Sequence, residues 1–217
     1  MAENVGDGST ATAGSQAPEQ PAHFAFDADN EQRIARILAK YPPGRQASAV
    51  IAILYLVQEQ MRRDTGSAWI PTVAMDVVAA RLQMPPIRVY ENATFYLMFN
   101  TSPIGRYHLQ VCTTTPCWLR GSDAVTDACR KFTGIKDWHE TSTDGIFTMS
   151  EVECLGACVN APILQVDDDY YEDLDFDSTT KLLEALSRGE RPKPGSVTGR
   201  LTSAPEGWPM TLTTVTE

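Results

Sequence analysis

Four of the five cysteines fall in two close pairs: Cys112 and Cys117 as C-x4-C, then, after 36 residues, Cys154 and Cys158 as C-x3-C. Two such pairs, brought together by a fold, offer four thiolates to one metal centre. The first pair stands in VCTTTPC (111 to 117), behind the apolar run YHLQV (107 to 111). Pro116 is expected to open a helix, because first-turn N–H groups have no intrahelical partner to lose. Cys117 then sits in that first turn, where the positive end of the dipole favours a thiolate or a negatively charged cluster. The second pair lies in ECLGACVNAP (153 to 162), whose Gly156, Ala157 and Ala161 let backbone N–H groups approach sulfur. Such bonds, with the hydroxyls of Thr113, Thr114 and Thr115, would tune a redox metal centre.

Four cysteines also make a structural zinc set, but zinc sites usually draw on tighter pairs such as C-x2-C. An x4 loop occurs in plant-type [2Fe–2S] ferredoxins, although those place their other cysteines differently. Spacing therefore favours an iron–sulfur cluster over zinc and leaves both open. Disulfides rank last, since the cysteine count is odd and no secretory signal is present. Cys129, in VTDACR, reads as a small buried hydrophobe.

Four runs carry a resemblance: GRQASAVIAILYLVQEQ (44 to 60), MPPIRVYENATFYLMFN (84 to 100), YHLQVCTTTPCWLRG (107 to 121) and VECLGACVNAP (152 to 162). Over residues 30 to 195 the chain resembles the small thioredoxin-like [2Fe–2S] subunit of bacterial respiratory NADH:quinone oxidoreductase, complex I. Leu97 departs from a more polar family position and touches no ligand. The resemblance implies that Cys112, Cys117, Cys154 and Cys158 match the family's cluster ligands one for one. It implies one [2Fe–2S] cluster here, with FMN and NADH on a partner flavoprotein subunit. A large iron–sulfur subunit is the second implied partner, in a peripheral arm on the cytoplasmic side of the inner membrane. The function so implied is single-electron exchange with the partner's flavin, within a proton-translocating enzyme whose active site is not on this chain alone. The matching subunit of an NAD-linked hydrogenase or formate dehydrogenase shares this chemistry. A zinc-stabilised interaction module is the alternative from another class.

The positioning elements follow from composition and pattern. With 28 acidic against 18 basic residues, net charge is −10, which argues against a nucleic-acid partner. The longest apolar run, Ala47 to Val57 broken only by Ser48, is about half the ~20 residues of a membrane span. A disordered leader is expected over residues 1 to 28, most plainly in the polar first 22. It has neither a signal-peptide core nor transit-peptide arginines, and with Met1 first a bacterial cytoplasmic protein is expected.

The fold class expected is α/β (α+β), an N-terminal helical bundle followed by a thioredoxin-like [2Fe–2S] ferredoxin domain. The bundle is expected over 29 to 100, with a first helix capped by Asp29 or Asn30 and ended by Tyr41-Pro-Pro-Gly44. A helix over Gln46 to Asp64, one from Pro71 to about Leu82 and one after Met84-Pro-Pro86 follow. Tyr90, Phe95, Tyr96 and Phe99 read as an aromatic core stripe. Over 101 to 190, strands are expected at 106–111, 147–153, 162–167 and near Tyr170, and helices at 116–131 and, capped by Ser178, at 179–188. The remaining 191 to 217 reads as an extended tail in which Trp208 is a possible tether. DDDYYEDLDFD (167 to 177) lacks an EF-hand's glycine and spacing and reads as a solvated hairpin edge, its tyrosines a contact surface. His23, His108 and His139 form no ligand spacing, and His108 reads as structural. No nucleotide-binding glycine motif occurs.

Overall fold

The computed structural model describes residues 19–201. Helix α1 (Ala28–Leu38) is capped by Asp27, whose side chain accepts from the Asn30 N–H at 2.7 Å. The cap thus lies earlier than the expected Asp29 or Asn30. A 3-10 turn (Gln46–Ala49) without a side-chain cap leads into α2 (Val50–Thr65), which ends on Gly66 at φ +81°. The expected helix from Gln46 is therefore α-helical only from Val50. Then α3 (Thr72–Leu82) starts after Pro71, and α4 (Pro86–Phe95) carries proline in its first turn. Ile34, Ile53, Leu54, Val57, Ile70, Val78 and Val89 fill the bundle core. Beside this core the buried Gln60 amide accepts from Asn30 Nδ2 (2.9 Å) and Asp27 N (3.2 Å) and donates to the Ala25 carbonyl (2.9 Å).

Two expectations fail here. Phe24 and Phe26 belong to the core, packed edge to face with centroids 5.2 Å apart, so a leader reaching residue 28 is too long. Residues 1–18 lie outside the described ones. The aromatic stripe is not one face either: Phe99 is buried, Tyr96 half-buried, and Tyr90 and Phe95 are exposed. The backbone turns extended at Tyr96, so helical spacing no longer links these rings.

Among the described residues six strands form one sheet: β1 (Tyr107–Cys112), β2 (Glu140–Thr141), β3 (Phe147–Val152), β4 (Leu164–Val166), β5 (Asp169–Glu172) and β6 (Gly195–Ser196), in the order β2-β3-β1-β4-β5-β6. Central β1 runs parallel to β3 and antiparallel to β4. A parallel pair needs a crossover, supplied by α5 (Thr115–Leu119) and α6 (Ser122–Thr133). The single helix expected over 116–131 is broken at Gly121, whose φ of +99° no helix accommodates. Helix α7 (Phe176–Ser187) begins earlier than expected, with Asp175 and Ser178 forming a reciprocal capping box. Strand β2 was not expected, and β6 gives the start of the expected tail a place in the sheet. Residues 202–217, Trp208 included, lie outside the described ones.

Alternation along β1 and β3 divides the sheet by chemistry. Tyr107, Leu109, Val111, Phe147 and Met149 pack with Val125 and Cys129 of α6 and Leu182, Leu183 and Leu186 of α7. His108, Gln110, Thr148 and Ser150 line a cavity of about 370 Å³ whose far wall runs from Ala93 to Ile104. His108 Nε2 lies 2.8 Å from Ser150 Oγ, which lies 3.2 Å from His139 Nδ1. Sequence spacing did not show this pairing of histidines.

Burial, then the charges of His139 and Arg62, holds His108 down at about pKa 4, against an ordinary 6.5. The unfolded chain therefore takes up this proton first as pH falls. Stability from neutral His108 is complete above 6.5 and drains away towards 4. Between pH 7 and 5 this should amount to about 2 kcal/mol. Urea titrations of the wild type and His108→Gln should show this slope in the wild type and its loss in the variant.

The acidic stretch is not a solvated edge. Asp167 is 4 % exposed and accepts from the His108 N–H at 3.0 Å. Arg191 (2.6 Å) and Arg62 (3.3 Å) pair with its carboxylate. Tyr171 is buried and donates to the Pro192 carbonyl (2.9 Å), so it offers no contact surface.

Candidate metal centre

Strand β1 delivers Cys112 at its last residue, and the turn into α5 returns Cys117 beside it. Both are 1 % exposed and pack with Ala161 and Ile163, against Leu155, Ala157 and Tyr170. Past β3, the loop at 153–157 and a 3-10 turn (Cys158–Asn160) present the second pair, with Cys154 exposed and Cys158 half-buried. Their sulfurs are 3.2 Å apart, far beyond the ~2.05 Å of a disulfide. Cys112 interacts with both Cys117 and Cys158, so the fold brings all four expected thiols into one group.

Part of the expected hydrogen bonding around the sulfurs is present. The backbone N–H groups of Ile163 and Gly156 face the sulfurs of Cys117 and Cys154 and act to lower these thiols. Thr114 Oγ1 stands 3.3 Å from Cys112 Sγ and also bonds Cys154. Thr113 differs from expectation and donates to Glu151 Oε1 at 2.5 Å. Tyr170, which sequence reading placed on a contact surface, holds the second loop by donating to the Leu155 carbonyl (3.1 Å).

Burial and the neighbouring Cys112 push the Cys117 thiol up to about 12. In the outer pair the shared hydrogen bond lowers the Cys154 thiol and raises the Cys158 thiol. A metal centre would displace these protons, since thiolates are its ligands. Cys129 stands apart in α6, fully buried, its thiol raised to about 12 by burial alone.

The donor set fits a [2Fe–2S] cluster: four thiols, with no imidazole or carboxylate among them. Among the described residues no three His, Cys, Asp or Glu side chains converge on a single-ion position.

Residues 34–187 match the family model of the thioredoxin-like [2Fe–2S] ferredoxin. The chain is 51% identical over 164 residues to the E chain of NADH-quinone oxidoreductase from Rickettsia conorii, covering 76% of this chain and 95% of that one. It is 52% identical to the Rickettsia prowazekii protein of the same name, covering 74% and 88%. Among solved structures, an NAD+-reducing [NiFe]-hydrogenase in the H2-reduced state superposes with a TM-score of 0.55 at 20% identity. That match spans 65% of this chain and 22% of the hydrogenase chain, and shows the fold alone. The chain belongs to the thioredoxin-like [2Fe–2S] ferredoxin family, within the branch formed by the E chains of NADH-quinone oxidoreductase.

Proposed function

We propose that this chain is the electron-transfer subunit of the NADH-oxidising module of respiratory NADH:quinone oxidoreductase, with Cys112, Cys117, Cys154 and Cys158 holding one [2Fe–2S] cluster. The observation that carries the reading is the meeting of four thiols, two by two, at the end of the central strand. Such a cluster, when bound, supplies one-electron exchange with no open coordination position. The chain's own residues bury one thiol pair, turn the other outward, and direct N–H groups at the sulfurs.

The outward pair marks the face for electron exchange. Trp118 and Leu119, which follow Cys117, and Val159, which follows Cys158, stand exposed, suited to a partner that excludes water. That partner is the flavoprotein subunit, whose FMN divides the electron pair from NADH, and the large iron–sulfur subunit adjoins it. Residues near 100 divide a docking bundle from the cluster domain. Among the described residues no helix is long and apolar enough to cross a membrane. This suits a peripheral arm on the cytoplasmic side of the inner membrane. An equivalent subunit of an NAD-linked hydrogenase or formate dehydrogenase would use the same chemistry, and relatives near half identity favour the respiratory enzyme.

Visible absorption and EPR of the anaerobically purified chain test the reading. A reddish-brown protein that bleaches with dithionite and gains a rhombic one-electron EPR signal is expected. A colourless, EPR-silent protein with one bound zinc would overturn it.

A further inference from the structure

The loop bearing the outward cysteine pair is tied to the sheet through its carbonyls. The Asn160 carbonyl accepts from Asp173 N (2.7 Å), and Asn160 Nδ2 donates to Glu172 Oε2 (2.6 Å). The Val159 carbonyl, one residue past Cys158, accepts from Arg200 Nη2 at 3.1 Å. Arg200 also pairs with Asp173, its Nε lying 3.1 Å from Oδ2.

We propose that Arg200 is a positioning residue for the outward cysteine pair, pinning the Cys158 turn to Asp173 and to the C-terminal segment. The inference rests on the cluster reading for its consequence, while the pin itself is a property of the chain.

Every element of the pin is held from another side. Ser196 Oγ (2.6 Å) and Thr198 Oγ1 (3.3 Å) donate to the same Asp173 oxygen. Strand β6 pairs with β5, and Val197 N donates to the Glu172 carbonyl (3.1 Å). The Asp173 side chain is 6 % exposed at a backbone φ of +57°, the left-handed region that aspartate tolerates better than most non-glycine residues. Burial acts to raise its carboxyl, and Arg200, Ser196 and Thr198 together hold it below the ordinary carboxylate value. Arginine suits the position because its planar fork reaches a carboxylate and a carbonyl at once, whereas lysine is a point charge.

The test compares the full chain with Arg200→Ala and Arg200→Lys by hydrogen exchange, chelator-driven cluster release and reduction potential. In Arg200→Ala the amides of 153–160 should exchange about tenfold faster, ~1.4 kcal/mol. Exchange in α2 and α7 should not change, cluster release should quicken, the potential should shift, and Arg200→Lys should fall between. Unchanged exchange at 153–160, or equal loss of protection throughout the chain, would overturn the inference. A wild-type chain without a cluster would instead overturn the proposed function. Exchange in that metal-free chain would still decide for or against the pin.

Discussion

Cys117→Ser should leave a folded but nearly colourless protein, the largest change a single oxygen-for-sulfur exchange can make here. Cys117 is 1 % exposed and joins Cys112 at the inner corner, while Cys129, the one cysteine outside the group, is buried in α6. A serine hydroxyl ionises far less readily than a thiol and is a harder, weaker ligand for a soft iron–sulfur centre. The control is Cys129→Ser, the same exchange at a fully buried site in α6. It should keep the spectrum and lose about 1–2 kcal/mol, the cost of burying a hydroxyl. Iron content and visible absorption of the two variants would separate ligand from packing cysteine. A Cys117→Ser protein with the wild-type spectrum would remove Cys117 from the ligand set.

The second large effect is expected far from the thiols. Asp167→Ala should cost about 3 kcal/mol, because removing one partner of a buried ionic group leaves the others uncompensated. The His108 N–H would lose its acceptor inside the sheet, and Arg62 and Arg191 would lose their shared carboxylate. Both arginines reach solvent, which keeps the expected cost near the lower end for a buried pair. Asp168 beside it is 85 % exposed, and Asp168→Ala should stay within about 0.5 kcal/mol. Denaturant titrations of both variants measure the contrast, and similar losses would contradict the role given to Asp167.

The site was legible in the sequence wherever local spacing governed it. The two cysteine pairs, Pro116 and the small residues about Gly156 are local signals. What failed depended on distant partners. Asp167 looks like a surface aspartate until the fold places Arg62 and Arg191 against it. Tyr90 and Phe95 read as core while a helix was assumed to continue past Phe95, and it does not. Thr113 stood in line for sulfur, yet Glu151 on the neighbouring strand takes its hydroxyl. Nothing local marks Arg200, which meets Val159 from 41 positions away in the chain.

The placement of β1 has a consequence for how the protein is made. Tyr107 pairs with Phe147 and Val111 with Leu164, so the central strand waits for partners some forty to fifty residues further on. Pairings of such sequence separation form slowly, since the loop must close before the contacts repay it. The helical bundle needs none of them and leaves the ribosome first. Each cysteine pair is close along the chain, but the two meet only once β1, β3 and β4 are aligned. The thiol cage is thus a late product of folding, and an iron–sulfur donor arriving earlier would find two half-sites in place of one whole site.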